Sequence, residues 1–266
     1  MSQPQPPPQP PQESQQSKQS KGKPPKKASQ APKSKSAATP AATASPPARP
    51  LPASKSKSKS KPKDDHHDSD VDVDDIPAVN PEAPRHDGEW YWLMKAEPET
   101  RLENGIDVRF SIDDLRAKTK PEGWDGIRSF AARNHMRNMN AGDKAFFYHS
   151  NCKEPGIVGI MEVVKEFSED RTARQPGTPY YDPSSTKDKP KWSLVHVEFR
   201  KKFAVQIGLK ELRDLGKPGG PLETMQMLKQ SRLSVSRVST EEWRALCELA
   251  DKKAEEAGLK HETGKL

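Results

Sequence analysis

Lys144-Ala-Phe-Phe-Tyr-His149 is an unbroken apolar and aromatic run that reads as a strand. Residues 150–156 follow as a turn around Pro155, and 157–167 form a second, longer β-rich run. Working outward, Trp90-Tyr-Trp-Leu-Met-Lys95 reads as a strand that stops before Glu97-Pro98. Residues 194–203 supply another strand, with Val195, Val197 and Phe199 on one face, and 232–238 a further one. Short helices are expected between them. Ser111-Ile-Asp-Asp114 carries a capping-box pattern, 129–139 has helical spacing, 221–229 is a short helix, and Ser239-Thr-Glu-Glu242 opens a helix that runs to 257. The polar loop 168–191 holds four prolines and is long for a structureless connection, so it is expected to be functional or packed on itself. No regular βαβ alternation appears. The pattern fits an α+β domain, a small, mostly antiparallel barrel with helices around it.

Composition sets the limits of that domain. The chain has 266 residues, and 18 of its 27 prolines but none of its aromatics lie in residues 1–89. Such a stretch lacks the apolar surface to offset the entropy of ordering its backbone. We expect a disordered basic Pro/Lys/Ser-rich arm over 1–63, a disordered acidic linker over 64–89, a domain over 90–257 and a polar tail over 258–266. The arm carries thirteen Lys and Arg against one acid, and the linker ten acids against Arg85. The clusters Lys21–Lys27 and Lys55–Lys63 read as contacts for nuclear import machinery or as a phosphate-binding arm. His66 and His67 sit within the acidic block, which reads as a solvated linker ahead of a metal site. There is no 18-residue apolar run and no apolar leader segment. Cys152 and Cys247 are too few for a disulfide framework or a Cys-based zinc site.

Phosphate-loop, dinucleotide, zincin and nucleophile-elbow signatures are missing. The residues that draw attention are aromatics and amides at strand ends and turns: Trp124-Asp-Gly-Ile-Arg128, Arg133-Asn134, Tyr148-His-Ser-Asn151, Tyr180-Tyr-Asp-Pro183 and Trp192. An aromatic face with a few amide, hydroxyl and carboxylate groups suits a planar heterocycle, because stacking supplies affinity and edge hydrogen bonds supply identity. Competing readings exist. His149 is equally a satisfied strand-end histidine, and Arg128 and Arg133 are equally ion-pair partners for Asp125 or Asp143. His149, Asp182 and Cys152 would be the residues of a nuclease or base hydrolase.

Tyr91-Trp-Leu-Met-Lys-Ala-Glu-Pro98, Trp124-Asp-Gly-Ile-Arg128 with Ala132-Arg-Asn134, Phe146-Phe-Tyr-His-Ser-Asn-Cys-Lys-Glu-Pro-Gly156, Tyr181-Asp-Pro183 and Lys191-Trp192 together resemble the EVE domain over about residues 90–250. The resemblance implies a PUA-like fold, a small mixed β-barrel flanked by helices. It also implies a nuclear, non-enzymatic module without cofactor, catalytic residue or metal. Its expected ligand is a modified base, a methylated or oxidised cytosine in DNA or a modified base in RNA, with DNA preferred. The family's pocket motifs fall on Trp124, Arg128, Arg133, Asn134, Tyr148, His149, Ser150 and Asp182, with Lys95 and Glu97 at the rim. Trp124 and Tyr148 would form the aromatic wall. Asn134, Ser150 and Asp182 would read the base edge, and Arg128, Arg133 and Lys95 would take phosphates or hold the rim. A protein-interaction module with a vestigial pocket is the alternative. The chain departs from the family pattern at Ala96, Ser129 and His196.

Overall fold

The computed structural model describes residues 72–264, all within the compact unit Pro62–Leu266. The basic arm and its import clusters lie outside the described residues. The strands are β1 (Tyr91–Ala96), β2 (Leu102–Glu103), β3 (Ile106–Asp107), β4 (Glu122–Gly123), β5 (Lys144–His149), β6 (Gly156–Glu169), β7 (Ser193–Gly208), β8 (Val235–Val238) and β9 (Glu262–Thr263). The helices are α1 (Ile112–Arg116), α2 (Phe130–Arg137), α3 (Leu209–Leu215), α4 (Gln226–Lys229) and α5 (Thr240–Glu256). One mixed sheet runs β4-β7-β6-β5-β1-β8, with β9 beside β7, and β2 and β3 pair separately. The α+β class, the mixed sheet and its flanking helices match expectation.

The central strands read as continuous apolar runs because both faces of the sheet are covered. Alternation sends Trp92, Met94, Ala145 and Phe147 into one core layer, and Leu93, Phe146 and Tyr148 into the other. Leu212, Met225, Met227, Trp243, Leu246 and Ala250 of the α3–α5 region close the second layer. Ile112, Leu115, Ala132 and Met136 of α1 and α2 close the first. Both capping boxes form: Ser111 accepts from the Asp114 N–H, and Ser239 accepts from the Glu242 N–H.

One pairing has a functional consequence. β1 and β5 are parallel, in register from Tyr91–Lys144 to Ala96–His149. Their C-terminal ends therefore emerge at the same edge of the sheet. Periodicity along the chain carries no strand direction, so the sequence pattern alone favours antiparallel neighbours.

Two expectations about the flanks are corrected. Residues 72–89 are not a free linker but lie as a strap on the domain. Glu166 is the anchor: its carboxylate accepts from Arg85 Nη1 and Nη2 (2.6 and 2.5 Å), the Asn80 N–H (2.7 Å) and the Ala141 N–H (3.2 Å). The Glu166 N–H donates to the Ala78 carbonyl, Lys165 donates to the Ile76 carbonyl, and the His86 ring stacks on Trp90 at 4.2 Å. The strap docks through polar contacts, with Ala83 as its buried apolar residue, so a composition rule based on apolar burial passes over it. At the other end, the polar tail contributes β9, whose Glu262 pairs with Lys202 of β7, and His261 Nδ1 accepts from the Ala204 N–H.

Candidate nucleobase-binding site

A cavity of about 860 Å³ opens where β1 and β5 end. That size falls within the roughly 300–1,000 Å³ usual for ligand sites. The cavity is walled by the strand ends, residues 101–110, β4 with the segment 124–129 after it, the loop 172–180, and residues 231–234 ahead of β8, with Pro155 and Leu209 at its edge. Pro98 stops β1 just after Glu97, and Ser150 bonds back to the Ala96 carbonyl through its N–H (2.8 Å) and its hydroxyl (3.2 Å). These bonds fix the two strand ends relative to each other.

The turn 124–128 and the loop 170–180 are buckled together by Arg128. Its Nε donates to the Tyr180 carbonyl (2.6 Å) and its Nη1 to Asp170 (2.7 Å), whose carboxylate is fully buried. Asp170 also accepts from the Gly126 N–H (3.2 Å) and the Thr172 hydroxyl (2.6 Å). Gly126 has φ +74°, and a Cβ there would stand 2.7 Å from the Tyr180 ring, so glycine is required both by conformation and by the ring lying over it. Trp124 packs edge-on against Phe110 and Phe147 and presents its remaining surface to the cavity.

Of the residues expected at the site, Trp124, Arg128, Tyr148, Ser150, Lys95 and Glu97 line this cavity. Lys95 donates to the Ser231 carbonyl (2.8 Å) and lies 5.6 Å from the centre of the Tyr148 ring; burial lowers its pKa. Burial pushes the Tyr148 hydroxyl up to about 12, so it stays a donor. Glu97 is tied to Arg101 (2.6 Å) and Asn151 (3.1 Å). Ala96 and Ser129, two of the departures, also line the wall.

Four expected site residues stand elsewhere. On α2 the helical period turns Ala132 and Met136 inward, which leaves Asn134 exposed and Arg133 half-buried. Arg133 donates to Asn134 Oδ1 (2.7 Å) and to the Lys191 carbonyl (2.7 Å), and lies over the Phe130 ring. Asp182 accepts from the Ser184 hydroxyl and N–H and from the Trp192 indole (2.7 Å); Ser184 first and Trp192 second pull its pKa down to about 2. His149 is the strand neighbour of Tyr148 and so points to the opposite face. There its Nε2 accepts from the Ile112 N–H (3.2 Å) at the start of α1, and burial lowers its pKa. Thus His149 and Asp182 do not join Cys152 at the cavity, and burial raises the Cys152 thiol pKa. Arg128 pairs with Asp170, a partner not among those considered from sequence.

Sequence reasoning did not assign Asp125 and Tyr180 to the site, although both lie in motifs it quoted. Asp125 reaches solvent through the cavity mouth yet is ringed by protein. Desolvation first, then the charge of Asp170, pushes its carboxyl up to about 6 against the opposing effect of Arg128. His196, the third departure, is buried behind Gly123 of β4. Burial first and the charge of Lys165 second lower its pKa to about 4, and its Nδ1 has no partner. Among the described residues, no cluster of three or more His, Cys, Asp or Glu is gathered for a metal, and no helix is long and apolar enough to cross a membrane.

A mixed sheet whose parallel strand ends open into an aromatic, polar-edged cavity has the form of a small-ligand binding domain. The family model described as the EVE domain matches residues 90–249, and the chain belongs to that family. It is 51% identical over 158 residues to thymocyte nuclear protein 1 of Mus musculus, an alignment covering 58% of this chain and 70% of the relative. A crystal structure of human THYN1 protein in complex with 5-methylcytosine containing DNA is 47% identical, with TM-score 0.60, covering 61% of this chain and 98% of that one. The DUF55 domain of human thymocyte nuclear protein 1 is 48% identical, with TM-score 0.59, covering 60% and 98%.

Proposed function

We propose that this chain is a nuclear, non-enzymatic DNA-binding module that holds a modified base, a methylated or oxidised cytosine, in the cavity at the ends of β1 and β5. The observation that carries the reading is the cavity itself, walled by Trp124, Tyr148 and Tyr180 and edged by polar groups. It is supported by the 47% identical human THYN1 structure, which contains 5-methylcytosine DNA. Stacking on the aromatic wall contributes about 1–3 kcal/mol per base. An added methyl in an apolar notch contributes about 1–3 kcal/mol of discrimination. Lys95 holds the rim, and Ser150 offers a hydroxyl to the base. Arg128 builds the wall in this reading and does not contact phosphate. Arg133, Asn134, His149 and Asp182 act outside the cavity as structural groups.

The basic arm supplies sequence-independent phosphate attraction and carries the import signals Lys21–Lys27 and Lys55–Lys63. The full chain then loses affinity with added salt more steeply than a chain lacking residues 1–63; equal slopes would remove the arm from the account. For the pocket, matched oligonucleotides with cytosine, 5-methylcytosine or 5-hydroxymethylcytosine, as DNA and as RNA, compete for the full chain in a fluorescence titration. The expected result is a preference of about tenfold, or 1.4 kcal/mol, for a modified DNA base, abolished in Tyr180→Ala. Equal binding to the whole panel would instead favour a protein-interaction module.

A further inference from the structure

We propose that Asp125 is the group that reads the Watson–Crick edge of the base in this cavity, donating as a neutral acid to ring N3 of a cytosine and accepting from its exocyclic amine. The inference rests on the base-binding reading above and names the atom-level contact within it. Elimination among the cavity's carboxyl groups leads there. Glu97 is held by Arg101 and Asn151, and Glu122 by Lys118 at 2.9 Å. Asp107 accepts from the Arg101 and Arg109 N–H groups, both at 3.1 Å. Asp125 follows the wall residue Trp124 and precedes Gly126, over which the Tyr180 ring lies; it lines the cavity with both aromatic residues and is open to a ligand entering it. Arg128, the cation on its own turn, gives its close contact to Asp170 instead. Of the three groups expected to read the edge, Asn134 and Asp182 are engaged outside the cavity, and Ser150 lines it.

The chemistry matches. Cytosine presents a donor at its amine and an acceptor at N3. A neutral carboxyl offers one O–H donor beside one acceptor oxygen, whereas the ionised form offers acceptors alone and faces the N3 lone pair. The surroundings favour the neutral form. Desolvation comes first, Asp170 at the end of β6 and Glu122 of β4 add negative charge, and these outweigh Arg128 and the Thr172 hydroxyl, which favour the ionised form; Tyr180 lies nearby on the loop. The carboxyl titrates near 6 and so accepts a proton readily on binding.

The test is a titration of the full chain with a labelled duplex carrying one 5-methylcytosine, and with its unmethylated match, from pH 5.5 to 8 at constant ionic strength. Asp125→Asn keeps one donor and one acceptor at every pH; Asp125→Ala keeps neither. For the wild type, affinity for the methylated duplex falls above about pH 6, by up to ~10-fold per pH unit. Asp125→Asn gives a flat profile and binds more tightly than wild type at pH 8, while Asp125→Ala binds weakly throughout. A flat wild-type profile, or an unchanged slope in Asp125→Asn, overturns the assignment. Methyl preference that persists alongside either result leaves the base-binding reading standing, whereas its absence in the wild type brings both down.

Discussion

Two arginine–carboxylate pairs use acids four residues apart in the chain and do different work. Arg85 binds Glu166 and fastens the strap; Arg128 binds Asp170 and fastens the cavity wall. Around Glu166 the hydrogen bonding is saturated: the two terminal guanidinium nitrogens of Arg85 and two backbone N–H groups converge on one carboxylate. At the cavity it is not. Arg128 Nη2 is buried without a partner, as is His196 Nδ1 behind β4, and the Asp125 carboxyl is held with a raised pKa. Buried polar groups are normally satisfied, and departures gather where a protein keeps bonding capacity for something else. The saturated pair fastens the strap, and the unsaturated one borders the cavity.

The contrast is most readily broken at Arg128. Arg128→Ala leaves the buried Asp170 carboxylate without its cation, and removing one member of a buried pair costs about 3–5 kcal/mol. Urea unfolding should register that loss, together with loss of methyl-selective binding as the 170–180 wall comes away. A second test is acid. His196 has a pKa near 4 in the folded chain against the ordinary histidine value of 6.5, so the unfolded chain binds its proton first. Its stabilising contribution is complete above 6.5 and is lost as the pH falls toward 4, about 3 kcal/mol in all. Urea midpoints measured between pH 7 and 4 should fall less in His196→Leu than in the wild type.

Smaller effects separate site from scaffold. His149→Ala removes the acceptor for the Ile112 N–H and should cost about 1 kcal/mol, as a lost helix cap does, with the preference for methylcytosine intact. A change in preference without a change in unfolding would return His149 to the pocket. The smallest effect on base binding is expected for Arg85→Ala. Glu166 is buried, but the Arg85 side chain is half exposed, so its removal lets water join the two backbone donors; unfolding shifts less than in Arg128→Ala and base selectivity is unchanged.

Much of this was legible before the fold was known. The strand runs at 90–95 and 144–149 and the two capping boxes are local signals, and each appears where its chemistry requires. What escaped was non-local or directional. The parallel pairing of β1 with β5 joins segments about fifty residues apart, and the Arg128–Asp170 buckle joins segments 42 apart. One miss had a signal: Tyr148 and His149 are strand neighbours, so alternation sends their side chains to opposite faces of the sheet. The helical period around Ala132 and Met136 likewise argued that Asn134 points outward. For Asp182, inside a proline-rich loop, no periodicity existed to read.

The most direct measurement sets cavity against helix face. The full chain, Tyr180→Ala and the double variant Arg133→Ala/Asn134→Ala are titrated with one DNA duplex bearing cytosine or 5-methylcytosine at a single position. Methyl preference is expected to disappear in Tyr180→Ala and to survive in the α2 double variant. Preference that survives in Tyr180→Ala and disappears in the α2 variant would move the base-reading surface to the outer face of α2 and contradict the account.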